Sequence, residues 1–378
     1  MKIIILGPAF PLRGGIADFN EALTANLLQE GIETSIFSFY FQYPSFLFPG
    51  SSQKIEGKKP EHFHIHPTVS SINPFSWFNT AGKITNEKPD LVIIRYWLPF
   101  MAPALGTIAK RLRKNKIKVI AITDNIIPHE KRPGDKLLTG YFIRNCDAFI
   151  TMSKAVYDQL GEFIKTDHKL FLPHPVYNIF GDKISKTEAR KNIGLNQNDR
   201  IILFFGFIRT YKGLHLLLDA MCDQRIRERN IKLLVAGEFY EDKNPYLEKI
   251  RENKISKSII LHSGFIDKNK VKDYFCAADL VVQPYLDATQ SGITQIAYFF
   301  GRPMLVTNVG GLAEIVADKR VGYVTEKKSS AIADAICDYY DNNREEMFSQ
   351  NVNIDKEKFT WKNFINGILN LHDKISRN

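Results

Sequence analysis

The sequence predicts an α/β chain built from two doubly wound, Rossmann-like domains. Three observations carry that prediction. Short runs of Val, Ile and Leu alternate with amphipathic stretches along most of the chain. The runs are continuously apolar, as strands covered on both faces of a parallel sheet must be. The alternation breaks once, at Leu172-Pro173-His174-Pro175-Val176-Tyr177, and then restarts, so two arrays are joined near residue 175.

In the first array Lys2–Leu6 is a strand, Ile16–Gln29 an amphipathic helix and Thr34–Phe39 a second strand. Residues 40–80 are rich in Phe, Pro, Ser and His without a clear period, and read as a long loop or a loop-and-helix excursion. Asp90–Arg95 and Lys118–Thr123 are buried strands flanking a helix at Ala102–Lys114. Ala148–Thr151 is a further strand, with Ser153 placed to cap the helix after it. Beyond the charged residues 181–200, strands are expected at Ile201–Phe205, Ile231–Ala236, Ser258–His262, Leu280–Gln283 and Met304–Thr307. Helices at 213–222, 245–252, 269–276 and 293–300 separate them. Trp361–Ile375 is a helix detached from the second array.

Composition narrows the partners. At 378 residues, with 44% apolar and 24% charged, the chain can fill two cores. No apolar run reaches the roughly 20 residues that a membrane span needs. The opening MKIIILGPAF suits a first strand better than a secretory leader, so the expected location is cytoplasmic, at most peripheral at the inner membrane face. Cys146, Cys222, Cys276 and Cys337 are widely spaced, which fits buried free thiols and neither a zinc site nor a disulfide framework. The net charge of +10 admits nucleic acid, an anionic membrane face or anionic substrates as partners. No zinc-finger spacing or RNP signature appears, so nucleic acid is not expected. The basic clusters, Lys110 to Lys114 among them, read as solvated surface or as a membrane-facing patch.

Four segments at predicted strand ends could carry chemistry. Gly7 to Gly15 (GPAFPLRGG) precedes a helix, and Gly14 and Gly15 would let a substrate approach the backbone closely. It lacks the G-x-G-x-x-G fingerprint, which weakens a dehydrogenase reading. In Gly206 to Gly213 (GFIRTYKG), Arg209 and Lys212 lie three apart and can converge on one anion. A diphosphate leaving group, which gains charge in the transition state, needs such a pair. In the third segment, QPYLDATQSGITQIAYFFGRP, Ser291, Gly292, Ile293 and Thr294 open a helix whose free N–H groups suit a phosphate. In the fourth, Asp124 to Arg132 (DNIIPHEKR), Asp124 or His129 could orient an acceptor hydroxyl or contact a sugar. Each segment also has a plain reading: helix-entry turn, solvated basic turn, capped buried helix and structural loop. Tyr96, Trp97, Met152, Phe275, Tyr298, Phe299 and Phe300 read as packing. No metal-ligand spacing, GxSxG elbow or Walker A loop is present, so no metal or cofactor is expected.

Taken in order, these motifs resemble the GT-B glycosyltransferases of family 4 (group 1). The resemblance covers nearly the whole chain and rests on Gly14-Gly15, GFIRTYKG, AGE (236–238), HSGFID (262–267), AADLVVQPY (277–285), GRP (301–303) and NVGGLAEIV (308–316). It implies a GT-B fold with an interdomain cleft, an acceptor-binding domain at 1–176 completed by a crossover helix at 361–378, and a nucleotide-sugar-binding domain at 177–360. It implies retaining transfer from a UDP- or GDP-sugar to a glycan or lipid-linked acceptor, without a metal, in bacterial surface-polysaccharide synthesis. Arg209 and Lys212 then act on the diphosphate. Gly206, Gly237, Gly264, Phe265 and the 290–295 stretch (Gln290 to Gln295) face the donor. The chain departs from the family pattern where two glutamates usually stand: it has Ala288 and Ile296, with Asp287, Gln290 and Gln295 as the nearest polar groups. It also has Asp124 where a His is common, with His129 further on. A sugar-nucleotide epimerase of the same fold and a non-catalytic GT-B scaffold are the alternatives.

Overall fold

The computed structural model describes residues 1–44, 53–54, 62–127, 132–176, 179–288 and 291–377. The chain divides into two compact units: Met1–Pro175 with Thr360–Asn378, and Val176–Phe359.

The first unit is built on seven strands: β1 (Lys2–Leu6), β2 (Glu33–Phe41), β3 (Ile65–Ser70), β4 (Leu91–Tyr96), β5 (Lys118–Thr123), β6 (Ala148–Thr151) and β7 (Lys169–Phe171). They lie in the order β3-β2-β1-β4-β5-β6-β7. All neighbours are parallel. The order reverses between β1 and β4, so the loops leaving these two strands diverge and open a crevice at their carboxyl ends. Every residue of β4 is buried, as its apolar run requires.

The detached helix completes this unit. Trp361–Ser376 is capped by Thr360, whose side chain accepts from Asn363 N at 3.3 Å. Trp361, Phe364, Ile365, Ile368, Leu371 and Ile375 form its buried stripe, at the spacing of one helix face. Phe19, on the helix Gly15–Gln29, packs against Trp361 and Phe364 with ring centroids 5.2 and 5.6 Å apart. Gly367 faces Leu172 so closely that a Cβ there would lie 2.6 Å from Leu172 Cδ1.

The second unit holds β8 (Arg200–Phe205), β9 (Ile231–Gly237), β10 (Ile259–Ser263), β11 (Leu280–Gln283), β12 (Met304–Thr307) and β13 (Gly322–Thr325). Their order is β10-β9-β8-β11-β12-β13, again all parallel. Its switch point lies between β8 and β11.

Several elements escaped the sequence reading. The stretch read as a loop or a loop-and-helix excursion holds the helix Pro74–Asn86, which that reading allowed, and also β3, which it did not. β3 sits at the sheet edge, and its Pro and polar residues hide the strand period. β7 is only three residues of partly buried edge. The charged run 181–200 carries the helix Lys186–Asn192. Two of its cations meet on one buried carboxylate: Asp279 Oδ1 lies 2.7 Å from Lys186 Nζ and 3.0 Å from Arg190 Nη2. β13 and the helices Ser329–Asp341 and Glu345–Asp355 were also not foreseen. The four cysteines are free thiols, with Cys222 only half-buried. Met152, Tyr96, Trp97, Phe275, Tyr298 and Phe300 are buried, as packing residues should be, while Phe299 is half-buried.

Candidate functional site

In the second unit the loops from β8, β9 and β11 converge at the switch point. The chain turns sharply after β8 because Gly206 has φ +104, a conformation side chains disfavour. Gly206 N donates to Ala236 O at 2.9 Å and Ile208 N to Glu238 O at 2.8 Å, so the β8 loop is sewn to the end of β9. Thr210 donates from both its N and its Oγ1 to Glu241 Oε2, each at 2.8 Å. Tyr246 OH holds the other oxygen of Glu241. On the opposite side Leu286 N donates to Tyr211 O at 2.7 Å, tying the β8 loop to the β11 loop.

This frame sets the two cations. Arg209 lies over the Tyr240 ring at 5.2 Å, and Tyr240 itself packs on Phe207 at 4.3 Å. Lys212 Nζ lies 5.4 Å from the centroid of Tyr285. Among the described residues, neither Arg209 nor Lys212 makes an ion pair with a carboxylate. Burial lowers the pKa of Lys212, and the neighbouring Arg209 charge lowers it further. Two cations held together without a counter-charge are poised for an anion.

The helix Gly292–Phe299 begins beside Lys212. Ser291 caps it, its Oγ accepting from Ile293 N at 3.3 Å. A Cβ placed at Gly206 would lie 3.4 Å from both Lys212 Nζ and Ile293 Cδ1. Gly206, Lys212 and Ile293, three of the expected donor-binding positions, are thus neighbours around one point. Gly292 and Ile293 are partly exposed. The side chains of Thr294 and Gln295 are not available there. Thr294 is buried and exchanges hydrogen bonds with Gln283 at 3.2 and 3.3 Å, and Gln295 is fully buried. At this helix start the backbone, rather than those side chains, can meet a ligand.

Gly237 has φ +149, and a Cβ on it would lie 1.9 Å from Gly206 O. Gly264, φ +143, has open space around it, and Phe265 beside it is exposed. Ala288 and Ile296, which stand where glutamates were looked for, are both buried. Gln290 lies outside the described residues, as does His129. Gly213 brings the β8 and β11 loops into contact: it has φ +71, and a Cβ there would meet Pro284 O at 1.9 Å. Gly213→Ala is therefore expected to push the two loops apart. Thermal unfolding should register a loss of about 2–3 kcal/mol, and nucleotide affinity should fall with it.

In the first unit Gly14 (φ +120) and Gly15 open the helix Gly15–Gln29, and among the described residues neither has an atom within 4 Å of where a Cβ would stand. Asp124 meets a buried cation. Its Oδ2 and Oδ1 accept from Arg95 Nε and Nη2, both at 2.6 Å, and the two residues are only 5% and 2% exposed. The carboxylate is thereby committed to clamping the ends of β4 and β5 rather than left free to take a proton. Phe19 lies under the guanidinium at 4.0 Å. His174 packs edge-on to Phe19, and burial pulls its pKa down to about 3, leaving it neutral. Sequence reading missed Arg95 because it ends an otherwise apolar strand, as it missed Glu241 and Tyr240 beside the cations. A lone Arg closing a buried run, with an Asp at the end of the next strand, was the available signal.

Two doubly wound parallel sheets, one with two cations beside its switch point, are the two halves of a GT-B fold. Residues 199–342 match the family model described as glycosyl transferases group 1. A glycosyltransferase of Methanocaldococcus jannaschii, MJ1178, is 24% identical over 100% of this chain and 99% of its own length. A second from that organism, MJ1607, is 30% identical, but the match covers 50% of this chain and only 48% of that protein. Among solved structures, Anabaena Alr3699/HepE in complex with UDP-glucose superposes with a TM-score of 0.72 at 15% identity, over 100% of this chain and 98% of that one. The match to the glycosyl transferases group 1 model lies within the second unit, and the whole chain has the GT-B fold.

Proposed function

We propose that the chain moves a sugar from a UDP- or GDP-sugar to a glycan or lipid-linked acceptor, with retention, in surface-polysaccharide synthesis. One observation carries the donor reading: Arg209 and Lys212 lack carboxylate partners among the described residues, and Lys212 stands beside the partly exposed start of the helix Gly292–Phe299. The UDP-glucose bound to the Anabaena protein of the same fold supports a nucleotide-sugar as the anion. The nature of the acceptor rests on the family resemblance alone.

In the proposed reaction the bond from the anomeric carbon to the diphosphate oxygen breaks while the acceptor oxygen bonds to the same face. The acceptor proton passes to the departing phosphate, so no protein nucleophile is required. Arg209, Lys212 and the backbone N–H groups at Gly292 and Ile293 meet the charge that develops on the leaving group. Gly237, Gly264 and Phe265 line the nucleoside side, and Gly14 and Gly15 admit substrate to the first unit. Asp124 acts by fixing its loop through Arg95, and His129 is the remaining candidate to contact acceptor or sugar. With two cations and a helix start supplying positive charge, we expect turnover without a divalent metal.

Incubation with a panel of UDP- and GDP-sugars in EDTA, followed by NMR of the anomeric product, tests this. Transfer or slow hydrolysis of one donor with retained configuration is expected. An inverted product, an epimerised donor, or a bound donor left intact with every glycan and lipid acceptor offered would overturn it.

A further inference from the structure

The helix Pro74–Asn86 turns the wrong way out for a surface helix of a water-soluble domain. Asn73 caps it, accepting from Phe75 N at 3.1 Å, and Pro74 fixes its first turn. Its inward face is small and hydroxyl-rich: Ser76, Thr80, Ala81 and Ile84. Those hydroxyls are satisfied, Ser76 Oγ accepting from Ser70 N at 3.0 Å and Thr80 Oγ1 donating to Thr68 O at 3.1 Å. Trp77 packs against the core, but the two phenylalanines face outward. Phe75 is 83% exposed, Phe78 43%, and Ile72 just before the helix 55%. Residues 75, 78, 79 and 82 fall on one helical face, and none of them is charged. A strip of exposed aromatics backed by satisfied polar groups is a surface built for a partner.

The neighbouring helix Ala102–Lys114 says what kind of partner. Arg111 stacks on the Phe78 ring at 4.2 Å, joining the apolar strip to exposed Lys110 and Lys114. Lys110 and Lys114 continue into a groove also lined by Arg113, Lys116, Lys118 and Asp147. The groove's carboxylate is already engaged, Asp147 accepting from Arg113 Nε at 2.7 Å and from Val119 N at 2.8 Å. Among the described residues, Lys110, Lys114 and Lys116 have no ion-pair partner. Aromatic side chains flanked by unpaired cations match the two layers of an anionic bilayer surface, acyl boundary and headgroups. A second copy of the chain fits less well, since it would set like charges against each other. Among the described residues no helix is long and apolar enough to cross a membrane.

We infer that this flank of the first unit, Ile72, Phe75 and Phe78 with Lys110, Arg111 and Lys114, is a docking surface for anionic lipid bilayers. The rings enter the acyl boundary and the cations meet the headgroups. The inference stands apart from the donor chemistry, and its test needs no turnover.

Flotation of the full chain with vesicles of phosphatidylcholine alone, and with roughly one-third phosphatidylglycerol, reads it directly. The wild type should float with the anionic vesicles only and be released by high salt. The pair Phe75→Ser and Phe78→Ser should lower the bound fraction at least roughly tenfold, and Lys110→Glu with Lys114→Glu by a similar factor. Both doubles lie on the solvent face, so unchanged circular dichroism and UDP affinity confirm that each is folded. Failure of the wild type to float, equal binding to neutral vesicles, or wild-type flotation of both doubles would overturn the inference.

Discussion

Lys212→Ala should lower turnover of a nucleotide-sugar by about 10²–10³-fold, the loss that follows when one charge contact to a leaving group is removed. Three features place Lys212 at the anion. Its ammonium sits within reach of Gly206 and Ile293, where two chain turns meet. The loop that bears it is held on both sides, by Glu241 and by Leu286 N. Its charge is disfavoured by burial and by Arg209 in the free protein, so an arriving diphosphate relieves a real electrostatic strain. Arg209→Ala should cost a similar factor, and the double variant less than the product of the two, because both act on one anion. The lowered Lys212 pKa adds a pH signature. The ammonium is present at low pH and is lost as pH rises through that pKa, earlier than for an ordinary lysine. Donor affinity should therefore fall towards alkaline pH, and Lys212→Arg should remove that fall. Steady-state kinetics of the variants from neutral to alkaline pH provide the check. Near-normal turnover in both alanine variants would sink the assignment.

Asp124→Ala should cost the first unit about 3–5 kcal/mol, since it strands the Arg95 guanidinium in the interior without a counter-charge. The geometry is bidentate, with both bonds 2.6 Å and both partners buried. An exposed pair would contribute at most about 1 kcal/mol, so the size of the loss discriminates the two situations. Urea unfolding followed by tryptophan fluorescence reports on this unit alone, because the three tryptophans, Trp77, Trp97 and Trp361, all belong to it. Replacing both partners, Arg95→Met with Asp124→Leu, should recover much of the loss, because no charge is then left buried. A loss near 1 kcal/mol for the single variant would show that the pair is hydrated.

The central strands were legible because a parallel strand buried on both faces must be continuously apolar, as in Leu91–Tyr96 and Lys118–Thr123. The edges were not, since β3 and β7 keep polar residues where the sheet meets solvent. GFIRTYKG could be singled out locally: glycines that permit φ +104 and +71 bracket two cations just past a strand. The Arg95–Asp124 clamp could not, because its partners are 29 residues apart and meet only when β4 pairs with β5. Phe75 and Phe78 show the converse limit. Composition marks aromatics as core, and only packing against Thr68 and Ser70 reveals that the helix turns them outward.

The helix Trp361–Ser376 has a consequence for how the chain comes off the ribosome. Phe19, His174, Trp361 and Phe364 form one cluster in the first unit, yet the last two are translated after the whole of the second unit. The second unit is continuous in sequence and can close as soon as it emerges. The first lacks the cover that residues 360–378 give to β5, β6 and the helix Gly15–Gln29 until they arrive. The usual order of domain folding during synthesis, first-made first-folded, is therefore inverted in this chain: the later-made unit is finished first.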